Sequence, residues 1–166
     1  MIFYRSKKES ILMIKRYTRP VMGKVWTDEN RYRKWLEVEL AVCEAWNQLG
    51  EIPSKSLDEI KQKANFSIKR IEEIESIVKH DVIAFLTSVA EYVGENSRYI
   101  HLGLTSYDVV DTALSLLIRE ASLKIQTELQ NLKATLKQEA LRYKNTPVVG
   151  RTHGVHAEPI TFGVKL

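Results

Sequence analysis

The longest uninterrupted helical pattern in the chain runs from residue 108 to about residue 143 and contains neither glycine nor proline. Its apolar residues recur every three or four positions, which predicts one helix of roughly 35 residues and roughly 50 Å. Globular helices average about 11–12 residues, so this one needs long partner helices to cover its apolar side. The residues before it offer only short helices. We therefore expect other copies of the chain, or further sequence, to supply those partners.

Shorter helices are predicted ahead of the long one. Thr27 or Asp28 can cap a helix that stops near Gly50, because a short side-chain oxygen satisfies a free backbone N–H group. A short helix should start at Pro53 and Ser56 and end near Asn65. Ser67 can cap a helix that reaches residues 79–81, and Asp81 can cap the next. The pattern predicts an all-α fold, in which a small N-terminal helical domain precedes the first long helix of an incomplete bundle. We place the N-terminal domain at residues 13–104 and the bundle at residues 105–166, with residues 1–12 as an N-terminal extension.

The helix after Thr27 carries a regular apolar stripe with one polar member, Glu39. Cys43 lies on the same stripe, and its apolar neighbours favour an unreactive thiol over a catalytic one. We assign the large side chains of this helix to the core. The stripe consists of Tyr32, Trp35, Leu36, Glu39, Val42, Cys43, Trp46 and Leu49.

Charge and cysteine content exclude several classes of protein. The net charge of +4 is small, and acidic and basic residues alternate along the chain, which is typical of a solvated surface and not of a nucleic-acid interface. One cysteine cannot form an internal disulfide and favours a reducing compartment, so we expect a cytoplasmic protein. No apolar run approaches the roughly 20 residues of a membrane span.

All four histidines lie at breaks between predicted helices: His80, His101, His153 and His156. Residues 148–159, which read VVGRTHGVHAEP, hold two of them, and there we place the chemistry. Two histidines without a cysteine partner or an HExxH pattern do not predict a metal site, whereas general acid–base work suits histidine near neutral pH. The segment should be extended or looped, and Glu158 with Pro159 should begin a new helix.

The other polar positions have structural alternatives. His80 could bind a ligand or satisfy the last carbonyls of the preceding helix. Thr105 with Asp108 resembles a capping box, which by itself explains these residues, although a helix N-terminus with two hydroxyls could also bind an anion. Arg16, Arg19 and Lys24 cluster around Tyr17 and could hold an anion or form a solvated arm.

Four motifs in order carry a family resemblance. Residues 151–159 (RTHGVHAEP), 105–111 (TSYDVVD), 14–22 (IKRYTRPVM) and 80–85 (HDVIAF) resemble conserved segments of adenylosuccinate lyase, in the fumarase/aspartase superfamily. The resemblance implies a β-elimination that releases fumarate, giving AMP from adenylosuccinate, and that also acts on succinylaminoimidazole carboxamide ribotide in purine biosynthesis. It implies no cofactor, and it implies a homotetramer for the full-length protein.

By this resemblance His153 is the general acid, with Thr152 beside it, and His156 is structural. Two residues depart from the family pattern. Tyr107 stands where serine or threonine is usual and could crowd a carboxylate pocket. Lys79 stands where arginine is common, and its ammonium group cannot make a bidentate contact.

The resemblance also implies substrate contacts. Arg16 and Tyr17 would hold the nucleotide phosphate, Thr105 and Ser106 a succinyl carboxylate, and His101 would lie near the site. Lys79, His80 and Asp81 would line the nucleotide and succinyl site. His80 would also support catalysis.

In this family the base is a serine in a mobile loop beyond residue 166. We therefore expect an N-terminal fragment that is inactive by itself. Two alternatives stay open. The chain could be a non-catalytic helical oligomerisation or interaction module, or it could belong to another fumarate-releasing lyase of the superfamily.

Overall fold

In the computed structural model, which describes residues 14–166, the chain opens with short helical turns. A 3₁₀ turn spans Lys15–Tyr17, helix α1 spans Pro20–Gly23, and a second 3₁₀ turn spans Lys24–Trp26. Pro20 occupies the first position of α1, where its missing N–H costs no hydrogen bond. The predicted extension at residues 1–12 lies outside the described residues.

Four helices of ordinary length follow, as predicted. They are α2 (Asp28–Gln48), α3 (Ser54–Lys63), α4 (Ile68–Val78) and α5 (Asp81–Val93), and a 3₁₀ segment follows at Gly94–Tyr99.

Side-chain caps fix where α2, α4 and α5 begin. The hydroxyls of Thr27 and Ser67 accept from backbone N–H groups at the starts of α2 and α4, which confirms both predicted caps. The prediction for α5 is wrong, because the cap is His80 and not Asp81. His80 Nδ1 accepts from the N–H of Ile83 at 3.4 Å. Asp81, as the first residue of α5, accepts from the next backbone N–H.

The long predicted helix is present as α6, which spans Ser106–Arg142 and contains 37 residues. Its N-terminal half buries a row of small and branched residues spaced four apart, Val109, Ala113, Leu117 and Ala121. Its C-terminal half exposes the apolar residues that continue the pattern, Ile125, Leu129, Leu132 and Leu136. The described residues thus cover only the first half of this apolar surface.

A β-hairpin follows α6, and it includes residues 148–156, which were predicted to be extended or looped. Strands β1 (Pro147–Thr152) and β2 (Val155–Thr161) pair antiparallel, and the short helix α7 spans Phe162–Lys165. The predicted helix start at Glu158 and Pro159 is wrong, since both residues lie in β2. In a two-stranded sheet each strand is an edge strand, and an edge strand tolerates a proline.

The described residues form two compact units that divide between Ala121 and Ser122. In the first, four aromatic rings pack edge-to-face, stacked or tilted at the centre of the core: Tyr32, Trp35, Phe66 and Phe85. Trp35 and Cys43 are buried as predicted, whereas Trp46 is half-buried. In the second unit, Tyr143 and Phe162 are in edge contact.

The predicted all-α class is confirmed, with the hairpin as its one addition among residues 14–166. Among residues 14–166, none of the helices combines the length with the apolar composition that a membrane span requires. The predicted domain boundary at residues 104 and 105 stays a prediction.

Candidate active site

His80 lies on an exposed corner between α4 and α5. The preceding residue, Lys79, ends α4 in the left-handed conformation (φ 55°), and its ammonium group contacts the carbonyl of Ser76. Because His80 Nδ1 accepts a backbone hydrogen bond, the proton of a neutral ring is on Nε2. The predicted alternative, in which His80 satisfies carbonyls of the preceding helix, gives way to capping of the following one. Nε2–H is then available as a hydrogen-bond donor.

His101 lies before α6 and contacts a buried carboxylate. Its backbone N–H donates to Glu39 Oε2 at 2.9 Å, and its Nδ1 lies 2.7 Å from Glu39 Oε1. Glu39 is fully buried in α2, and burial raises the pKa of its carboxyl, which the hydrogen bonds from His101 oppose. The His101 side chain remains 22% exposed. Sequence reasoning assigned Glu39 no function, and its only signal was a polar residue in an apolar stripe.

The N-terminus of α6 carries Thr105 and Ser106. Half of the predicted capping box is present, because Asp108 Oδ2 accepts from the N–H of Thr105 at 2.8 Å. The Thr105 hydroxyl is on an exposed residue, and Ser106 is half-buried. Tyr107 points into solvent, with 74% of its surface exposed. These hydroxyls and the free N–H groups of the first turn are suited to binding an anion.

Arg16 and Tyr17 are both exposed in the first 3₁₀ turn, and the Arg16 guanidinium lies 4.8 Å from the centre of the Tyr17 ring. This is a cation–π contact that leaves the guanidinium accessible. Arg19 and Lys24, the other predicted members of the basic arm, are also exposed.

His153 occupies the tip of the hairpin. His153 (φ 51°) and Gly154 (φ 76°) are the two central residues between the paired Thr152 and Val155. Positive φ at both positions defines a type I′ turn, whose twist matches that of the strands. Glycine adopts this conformation without strain, and histidine is among the residues that tolerate it best.

His156 lies in β2, opposite Arg151. All residues from 151 to 160 are exposed. Between the pairs Val149–Pro159 and Arg151–His156 the register shifts, because two residues of β2 face the single Gly150 of β1. His156 is therefore a residue of the strand, whereas His153 is at the turn.

The predicted site residues thus divide between the two compact units. The first unit contains Arg16, Tyr17, Lys79, His80, Asp81, His101, Thr105 and Ser106, and the second contains Thr152 and His153. Among residues 14–166, no group of three or more His, Cys, Asp or Glu side chains is arranged to hold a metal ion.

A family model described as Lyase matches residues 15–166. The chain belongs to this lyase family. The predicted resemblance to adenylosuccinate lyase is confirmed by curated relatives of that name. The adenylosuccinate lyase of Synechocystis sp. is 56% identical over 154 residues, which cover 93% of this chain and 36% of that protein. The adenylosuccinate lyase of Aquifex aeolicus is 52% identical over 157 residues, again 93% of this chain and 36% of that protein.

The fold of this chain is similar to that of solved structures. A fumarate lyase from Mesorhizobium sp. superposes with a TM-score of 0.81 at 28% identity, over 87% of this chain and 35% of that one. The chain spans about a third of the length of the curated relatives that it matches.

Proposed function

We propose that this chain is part of an adenylosuccinate lyase. The enzyme releases fumarate from adenylosuccinate, which gives AMP, and from succinylaminoimidazole carboxamide ribotide. The observation that carries this proposal is the identity of 51–56% to adenylosuccinate lyases over 93% of the chain. The reaction breaks a C–N bond. A base removes a proton from the succinyl carbon, the double bond of fumarate forms, and an acid protonates the departing nitrogen.

We assign the acid to His153, and Thr152 is beside it. His153 is exposed at the tip of a type I′ turn, and its neighbours along the hairpin are exposed as well. An imidazolium at this position can deliver a proton to the leaving nitrogen. His156 in the strand is assigned a structural role.

The substrate is a nucleotide with three anionic groups, and the chain offers suitable partners. Arg16 with Tyr17 would bind the phosphate, and Thr105 with Ser106 at the start of α6 would bind a succinyl carboxylate. His101 would lie nearby. The corner between α4 and α5, formed by Lys79, His80 and Asp81, would contact the nucleotide and succinyl groups. There His80 would donate from Nε2 and support catalysis.

The remaining assignments concern the whole protein. We propose that the whole protein is a cytoplasmic homotetramer. We also propose that its base is a serine in a loop that is not among these 166 residues. Support for partner helices comes from the exposed apolar residues of α6. Residues 13–104 would form the N-terminal domain and residues 105–166 the start of the helical bundle.

A chimera tests the proposal. Residues 15–166 replace the matching segment of the Synechocystis adenylosuccinate lyase, and the absorbance change of adenylosuccinate and the release of fumarate are followed. We expect turnover by the chimera and none by residues 1–166 alone. Turnover by the isolated chain would contradict the assignment of the base to another segment.

The alternatives have distinct outcomes in the same assay. A folded, assembled chimera that neither binds AMP nor releases fumarate would favour a helical interaction module. Fumarate release from a different succinyl or aspartyl compound, but not from adenylosuccinate, would favour another lyase.

A further inference from the structure

The contact between Glu39 and His101 joins residues 62 positions apart in sequence. Both oxygens of the carboxylate are used, one by the backbone N–H and one by the imidazole of the same histidine. His101 has a positive φ of 66°, which is uncommon for a residue other than glycine. The carboxylate thus fixes both the backbone and the ring of His101.

The packing of α2 does not itself require a carboxylate at this position. The neighbouring members of the stripe are apolar, and Trp35, Leu36 and Cys43 are buried around the same side of the helix. Burying an ionisable group is costly, and replacing a buried polar pair by apolar residues often leaves stability unchanged or improves it. Stability alone therefore does not explain why a glutamate occupies position 39. Its contacts with His101 do explain it.

Helix α2 also holds the rest of the loop that carries His101. Trp46 Nε1 donates to the carbonyl of Leu102 at 2.9 Å, and Cys43 Sγ lies 3.7 Å from the carbonyl of Tyr99. The loop continues directly into Thr105 at the start of α6. One face of α2 is thus the support for this loop.

We propose that Glu39 is a positioning residue: it accepts from Nδ1–H of His101, so that the ring, when protonated, presents Nε2–H to an anionic oxygen of the substrate. A carboxylate beside Nδ1 selects this tautomer and orients the ring, as carboxylate partners of histidine do at other sites. As an imidazolium, His101 can then donate from Nε2. This inference rests on the proposed function, in which His101 lies near the substrate.

A double-mutant cycle in the active chimera tests the proposal. Glu39→Gln keeps the size of the side chain but cannot accept from both N–H groups. We expect kcat/KM to fall about 10–100-fold, the loss found when the carboxylate partner of a metal-bound histidine is removed. His101→Asn should cost at least as much. In the His101→Asn background, Glu39→Gln should cost little more, because Glu39 acts through His101.

Ser88→Ala is the matched control. Ser88 is also fully buried and accepts a single hydrogen bond, from the N–H of Ser67 at 3.2 Å, outside the proposed site. It should lower the thermal midpoint without changing kcat/KM. The proposal is overturned if Glu39→Gln loses no more activity than Ser88→Ala, or if its loss adds fully to that of His101→Asn.

A second measurement does not depend on activity. Nitrogen-15 NMR of residues 1–166, with the His101 signals assigned through His101→Asn, should show the Nδ1–H tautomer in the unaltered chain. Glu39→Gln should shift it toward Nε2–H. An Nε2–H tautomer in the unaltered chain would overturn the proposal even if Glu39→Gln fails to fold. If the unaltered chimera is inactive while the tautomer is as expected, the proposed function has failed and the Glu39–His101 orientation has not.

Discussion

His101 and His153 are held in opposite ways, although both have the left-handed backbone conformation. His101 is partly buried, and a carboxylate from another helix fixes its ring and its backbone. His153 is at the exposed tip of a hairpin, and within residues 122–166 no side chain holds its ring. The first unit therefore orients its histidine from its own core. The hairpin, in contrast, supplies His153 only with a backbone position.

The largest expected effect is on the exposed histidine. In the chimera, His153→Ala should lower kcat by about 10²–10⁴-fold, because it removes the proposed general acid. His156→Ala is the matched control, since it removes the same ring from the adjacent strand and should cost much less. Equal losses in steady-state kinetics would erase the distinction between turn and strand on which the assignment of His153 rests.

The next largest effect is expected at Gly163, which packs closely against the backbone at the end of α6. A methyl group on Gly163 would meet the carbonyl oxygen of Ala140 at 2.3 Å and Cα of Lys144 at 2.7 Å. Gly163→Ala should therefore destabilise the second unit by about 1–3 kcal/mol, since backbone atoms cannot move aside easily. Hydrogen exchange of the N–H groups of Phe162 and Gly163, which donate to Thr146 and Tyr143, measures the loss.

Val164→Ala provides the control for this substitution, because Val164 is 80% exposed. It should leave the exchange of both N–H groups unchanged. Unaltered exchange in Gly163→Ala would mean that the contact between α7 and the end of α6 is looser than the structure has it.

The buried carboxylate predicts a smaller, pH-dependent effect in the first unit. Burial raises the pKa of Glu39 above its ordinary value of 4.5, so the folded state binds the proton more tightly than the unfolded state does. Its contribution to stability is then full below about 4.5 and falls as the pH rises through the folded pKa. Urea midpoints of the unaltered chain should decline relative to those of Glu39→Gln in this range. A relative increase would show that the hydrogen bonds from His101 outweigh burial.

The smallest effect concerns Cys43, which reports whether α2 still supports the loop. Burial raises the pKa of its thiol to about 11, and nearby Glu39 adds to the shift. At pH 8 the thiol should therefore react slowly with an alkylating reagent until the chain unfolds. Labelling that stays faster in Glu39→Gln after the rates are corrected for the lower thiol pKa, with the thermal midpoint unchanged, would show local opening between α2 and the loop. Rapid labelling of the unaltered chain would contradict the buried position of Cys43.

Helix α6 could be predicted closely from sequence because its signal is local. More than thirty residues contain no glycine or proline, and their apolar residues recur at helical spacing. The bounds predicted from these two features lie within about two residues of Ser106–Arg142. The caps at Thr27 and Ser67 were equally local, since each joins a side chain to a backbone group three residues away.

Residues 148–156 were predicted to be extended or looped, but their pairing as a hairpin was missed because two local signals competed. Glu158 followed by Pro159 is typical of a helix start, but Pro159 pairs with Val149 across the sheet. The decisive signal was His153 followed by Gly154, a two-residue turn between β-branched neighbours. The cap of α5 was also assigned to the wrong one of two adjacent residues. His80 Nδ1, and not the Asp81 carboxylate, accepts the hydrogen bond from the N–H of Ile83.

The sequence by itself determined the helices, most of the core and the family, because periodicity, caps and motifs are each encoded over a few consecutive residues. Tertiary structure decided that Glu39 meets His101, since no local pattern joins residues separated by 62 positions. It also decided that His153 sits at a turn and His156 in a strand. Two histidines three residues apart look equivalent in sequence, and only the pairing of β1 with β2 makes them different.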